Sequence, residues 1–128
     1  MSRLPDFLRA GSSVLALFAV SALAEDDAQA LARLRKEIAA AVGDAACGNV
    51  SFCRIVPMGN DACGNPTVWV AFNNAPDLKI AIETKAAEYT FIEEDQLRGK
   101  ARPAGCKPAV APKLACVNHR CVLGDASY

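Results

Sequence analysis

The segment Thr67-Val68-Trp69-Val70-Ala71-Phe72, with Asn73-Asn74-Ala75-Pro76-Asp77 after it and then Leu78, Ile82, Ala86 and Tyr89, decides the fold class. Thr, Val, Trp and Phe favour extended chain, so residues 67–72 read as a strand. Val68, Val70 and Phe72 alternate with Thr67, Trp69 and Ala71. Both sets are largely apolar, so both faces should be covered, as in a central strand. An Asn or Asp cap with Pro nearby is a helix-start signal. Leu78, Ile82, Ala86 and Tyr89 then recur at i, i+4, i+8 and i+11, and Ile92 extends the stripe. That spacing predicts a helix over about 77–97, stopped by Gly99 and Pro103. Glu83, Glu88, Glu93, Glu94 and Asp95 make its later half acidic.

Working outward, Leu31, Leu34, Ile38 and Val42 form an apolar stripe that predicts a helix over 27–42. Asp26 or Asp27 caps its start and Gly43 its end. Ser51 to Val56 reads as a short strand, with turns at Pro57-Met58-Gly59-Asn60-Asp61 and Gly64-Asn65-Pro66. Gly99 to Pro112 is rich in Pro, Gly and Ala and reads as an extended loop held by Cys106. Lys113 to Leu123 reads as a tight hairpin around Asn118-His119. The expected fold is therefore α+β: a small disulfide-stapled domain with a short antiparallel sheet packed on one long helix, plus an N-terminal helix. The sheet should be built from the segments near 51–56, 67–72 and 114–123.

Residues 1–24 carry the pattern of a secretory signal. Arg3 and Arg9 are the basic start, Ser13 to Val20 the apolar core, and Ala22-Leu23-Ala24 the small residues of a cleavage site. The apolar core is shorter than the roughly 20 residues a membrane span needs. Cleavage before Glu25 would leave a single domain, 25–128, with no second span, secreted or periplasmic and soluble. Losing Arg3, Arg9 and Asp6 leaves 12 basic and 13 acidic residues of the 14 and 14 in the chain. That balance argues against nucleic-acid binding, which depends on neutralising phosphates.

The chain's 6 cysteines, Cys47, Cys53, Cys63, Cys106, Cys116 and Cys121, all follow the signal. An even number in a short exported chain predicts a disulfide framework rather than a metal site. Each bridge typically adds about 2–4 kcal/mol to a domain of this size. If Asn118-His119 is a two-residue turn, Cys116 and Cys121 face each other across the hairpin, which predicts a Cys116–Cys121 bridge. Cys53 would then pair with Cys63 across the turn at 57–61, leaving Cys47 for Cys106.

These cysteine segments resemble those of a loose group of small exported cysteine-rich bacterial proteins of unassigned function. The shared pattern is Cys47-x5-Cys53-Arg54, then Cys63-Gly64-x-Pro66 leading to Trp69, Tyr89 on a helix, and Cys116-x3-Arg120-Cys121. It covers residues 47 to 123, with Asn65 where a second Gly is usual. The resemblance implies export and a shared scaffold. A Kazal-type inhibitor is not implied, because the Asp-Gly and Tyr that should follow Cys63-Gly64 are missing.

No catalytic, cofactor or metal motif stands out. His119 is the single histidine and lies in a turn, and Ser51 and Ser127 lack the surroundings of a nucleophile. The carboxylates of 83–95 spread around a helix face and lack the loop that calcium requires. Arg98, Lys100, Arg102, Lys107, Lys113 and Arg120 follow with no acidic residue among them. This segregation either forms a surface for an anionic partner or is neutralised by the acidic helix before it; neutralisation is the expectation. The reading is thus a monomeric, non-enzymatic exported module, binding or structural. It could inhibit a secreted enzyme or meet an envelope protein. Its candidate partner-binding residues are Arg54, Met58, Asn60, His119 and Arg120, on loops that rigid bridges would pre-organise. The alternative is a small secreted hydrolase using His119 with a carboxylate.

Overall fold

A computed structural model describes residues 24–124; the expected signal segment, apart from Ala24, lies outside them. The fold is α+β. In chain order it comprises α1 (Asp27–Val42), a single 3-10 turn (Val50–Phe52), β1 (Cys53–Met58), β2 (Val68–Asn73), α2 (Pro76–Gln96), β3 (Leu114–Val117) and β4 (Arg120–Leu123). Asp26 caps α1 through a reciprocal pair with Gln29: the Gln29 N–H donates to the Asp26 carboxylate, and the Asp26 N–H to the Gln29 side chain. Gly43 ends that helix at a positive φ of 52°.

β1 and β2 form an antiparallel pair with Arg54 opposite Phe72, Val56 opposite Val70 and Met58 opposite Val68. Those residues share one face of the pleat, and both helices pack on it. Leu34 and Ile38 of α1, Ile82, Ala86 and Tyr89 of α2, and Met58 and Phe72 of the sheet make the main core. Leu34, Phe72 and Ile82 are completely buried. The helices run antiparallel, as contacts of Arg33 with Glu88 and of Glu37 with Lys85 establish. α1 is thus a full part of the core.

β3 and β4 form a second, separate sheet, in the expected register: Val117 opposite Arg120 and Cys116 opposite Cys121. Asn118 and His119 both adopt positive φ, 50° and 61°, as the two-residue turn requires. The expected single sheet is corrected by what occupies the outer edge of β4. There the Cys121 N–H donates to Ala45 O, and the Cys47 N–H to His119 O. With that edge paired to segment 45–47, the hairpin packs across the second face of the β1–β2 pair instead of extending it. Ala71, Cys47, Cys121 and Ala45 are buried there in a smaller cluster. β2 is therefore covered on both faces, as its sequence requires, yet it is not a central strand.

All six cysteines are bridged: Cys47–Cys116, Cys53–Cys121 and Cys63–Cys106. Each of the three expected pairings is overturned. Cys116 and Cys121 do face each other across the hairpin, but both side chains leave the same face of it. That face is turned toward segment 45–53, so each sulfur bonds outward to Cys47 or Cys53 rather than to its neighbour. Cys63 is taken by Cys106, and so is free for neither Cys53 nor any local closure of the turn. Among the described residues no helix is long and apolar enough to cross a membrane.

Candidate binding surface and disulfide clamp

Two of the bridges fasten one hairpin. Cys47–Cys116 and Cys53–Cys121 run from the segment after α1 and from the first residue of β1 to the two strands just below the Asn118-His119 turn. The sulfurs of Cys47, Cys53 and Cys121 lie within 4.8 Å of one another. All are in disulfide bonds, so none is a thiolate ligand in this state. The Cys47 N–H bond to His119 O holds the turn from the side. The result is an exposed tip, Val117 to Arg120, fixed at its base by two covalent bonds and at its flank by hydrogen bonds.

The third bridge fastens the long loop between α2 and β3. Asn65 reinforces it: its side-chain amide donates to Lys107 O, and its carbonyl oxygen accepts from the Ala109 N–H. Asn65 is in turn set by Asp61, whose carboxylate accepts from the Cys63 and Asn65 N–H groups. Cys106 is therefore not the only tether of this loop. A Gly at position 65 would lack both of those side-chain bonds.

Of the basic residues from Arg98 to Arg120, Arg98 alone has a carboxylate within ion-pair distance among the described residues, Asp95 at 2.6 Å. Lys100, Arg102, Lys107, Lys113 and Arg120 are all exposed and have none. Among the described residues the acidic helix pairs in this run only with Arg98, through Asp95, and with none of the five cations that follow, against the expected neutralisation. Two of its other carboxylates are turned to other cations, Glu83 to Arg54 at 2.6 Å and Glu88 to Arg33. Glu93 accepts from the Asn60 N–H and the Thr67 hydroxyl.

The sequence-derived candidates divide accordingly. Met58 is 3% exposed and belongs to the core. Arg54 lies on the helix-facing side of β1 and is occupied by Glu83. Asn60 is half-buried, with its N–H held by Glu93. These three residues do not form a free loop: Arg54 to Met58 is strand, and Gly59-Asn60 is bound to α2. His119 and Arg120 stand exposed at the hairpin tip. His119 has no side-chain hydrogen bond and no carboxylate beside it among the described residues, so the arrangement a histidine base would need is not assembled there.

No family model, curated protein or solved structure matches this chain. What the surface can do must therefore be argued from its own chemistry.

Elsewhere the charges are structural. Arg33 contacts Glu25, Glu37 and Glu88, and its guanidinium is held protonated above the ordinary arginine value, chiefly by Glu25. Hydrogen bonds from Lys85 and then Arg33 hold the Glu37 carboxyl below its usual range. Burial raises the Tyr89 phenol above its ordinary value, against the opposing pull of the Arg35 guanidinium. Removal from water disfavours the charged phenolate.

Proposed function

We propose that this protein is an exported, disulfide-clamped binding module whose cationic loop and hairpin tip engage an anionic partner outside the cytoplasm. The observation that carries this reading is the run of five exposed cations, Lys100, Arg102, Lys107, Lys113 and Arg120, with no carboxylate within ion-pair distance of any of them among the described residues. An unneutralised basic surface steers and holds an acidic one. A loop and a tip already fixed by disulfides lose less entropy on binding. The partner class is an acidic protein of the envelope or medium, a secreted enzyme among them. The signal-like residues 1–24, the three bridges and the resemblance to small exported cysteine-rich proteins support export.

The test is capture from envelope and medium fractions with the folded, oxidised protein. A specific partner should be retained at low salt and released as ionic strength rises. The triple variant Lys107→Glu, Lys113→Glu, Arg120→Glu should lose it, and Lys79→Glu, on the first turn of α2, should not. Retention by the triple variant would refute the reading. Mass spectrometry of the exported protein should find it beginning at Glu25. A dominant species retaining Met1 to Ala24 would remove the export claim.

A further inference from the structure

Between α1 and the helix-facing side of β2 lies an open groove of about 420 Å³, with no residue of the hairpin or its basic loop in its lining. That volume is within the range of small-molecule sites, about 300–1,000 Å³. Ile38 and Val42 of α1, Met58 of β1, and Val68 and Val70 of β2 give it an apolar wall, and Arg35 is its single charged lining residue.

Arg35 is unlike most of the other arginines near the helices. Arg33, Arg54 and Arg98 each have at least one carboxylate within ion-pair distance; Arg35 has none among the described residues. Its Nε and Nη2 donate instead to the neutral Tyr89 hydroxyl at 2.8 and 2.5 Å. Glu93, the acid that also acts on Tyr89, is already bound by the Asn60 N–H and the Thr67 hydroxyl. A guanidinium has five N–H donors, so Arg35 keeps three unspent while Tyr89 fixes where it stands. The second groove, of about 510 Å³ between β1 and α2, supplies the contrast. It too has apolar residues in its lining, Phe91 among them, but its charged residues are Glu83 and Glu94.

We propose that the Arg35 groove binds a single-chain amphiphile with a carboxylate head. The hydrocarbon lies along Ile38, Val42, Val68 and Val70, and the carboxylate takes the free N–H donors of Arg35. A fork of parallel N–H groups suits a carboxylate, and the apolar wall accepts the chain. The acidic groove repels the same ligand. This site is independent of the cationic surface proposed above.

The experiment is a titration of the ¹⁵N-labelled, oxidised protein with octanoate, and separately with octanol as the uncharged counterpart. Octanoate should shift amides of α1 and β2 saturably. Octanol should bind the same site about ten- to a hundredfold more weakly, the difference a charge-assisted hydrogen bond makes. Arg35→Gln should reduce octanoate to the level of octanol. Ala39→Glu should do the same in a protein whose fold is untouched: Ala39 is exposed, and a Glu there would lie one helical turn from Arg35 and occupy it internally. Equal affinities of the unsubstituted protein for octanoate and octanol would overturn the proposal. So would shifts centred on Phe91 instead of α1 and β2, or octanoate binding that survives Ala39→Glu.

Discussion

Single residues carry constraints here that composition hides. Gly59 sits at φ 85°, and a Cβ on it would stand 1.7 Å from the Thr67 hydroxyl oxygen and 2.7 Å from a Glu93 carboxylate oxygen. Neither atom is free to withdraw, because Thr67 donates to Glu93 and Glu93 also holds the Asn60 N–H. Gly64 has a similar φ of 79° but nothing within 4 Å of its missing Cβ. Gly64→Ala therefore pays only the backbone cost of the left-handed region, about 1–2 kcal/mol. Gly59→Ala adds the displacement of two bonded groups, for a total of about 3 kcal/mol or more. Urea titrations at unchanged slope should show the larger fall in midpoint for Gly59→Ala. Equal falls would mean that the Thr67–Glu93 contact yields freely. That the chain leaves the strand at Gly59 is legible, although the turn expected from Pro57 onward begins only after Met58, because Pro57 and Met58 continue β1. That the turn is tied to α2 is not, because Glu93 lies 33 residues beyond Asn60 and looks in sequence like one more solvated acid.

At the scale of elements, what was legible is what is local. α1 spans the residues its apolar period and its caps define, and α2 departs from its expected bounds by one residue at each end, because i, i+4 spacing and end signals lie within the element itself. The hairpin is equally local: Asn118-His119 between two short apolar runs sets both turn and register. Whether that hairpin joins β1 and β2 was not legible, since it depends on segment 45–47 reaching the edge of β4 first. The turn also leaves a measurable trace. His119 is held at φ 61°, a region that a residue with a Cβ enters at a cost of about 1–2 kcal/mol and Gly enters freely. His119→Gly should therefore stabilise the oxidised protein by about 1 kcal/mol, less the extra freedom glycine gives the unfolded chain. Thermal or urea unfolding reads the sign directly. A destabilised variant would mean that the His119 side chain supports the tip in a way the absence of side-chain hydrogen bonds does not reveal.

Over the whole molecule the bridges divide into two kinds, and none of the pairings could be read from spacing. Spacing favours closing short loops, whereas the observed separations are 69, 68 and 43 residues. They follow from which segments the two layers bring together. By chain entropy alone all three are worth nearly the same, about 4 kcal/mol each, because the term grows only with the logarithm of loop length. Their surroundings differ more. Cys47 and Cys121 are buried, and those two bridges hold the hairpin, segment 45–53 and the back of the β1–β2 pair together. Cys63 and Cys106 are half-exposed and join two loops outside the main core, where the Asn65 bonds also act. A thiol reductant reaches a bridge in proportion to its accessibility. Limited reduction followed by alkylation should therefore label Cys63 and Cys106 first, while Cys47, Cys53, Cys116 and Cys121 stay protected until the domain opens. The double variant Cys63→Ser, Cys106→Ser should lose about 2–4 kcal/mol and remain folded, with faster amide exchange concentrated in residues 99–112. The double variant Cys53→Ser, Cys121→Ser should lose more, since it also puts polar groups into the smaller core. If labelling begins at Cys47 or Cys121, or if the loop variant unfolds as a whole, the division into a buried clamp and an outer tether is wrong.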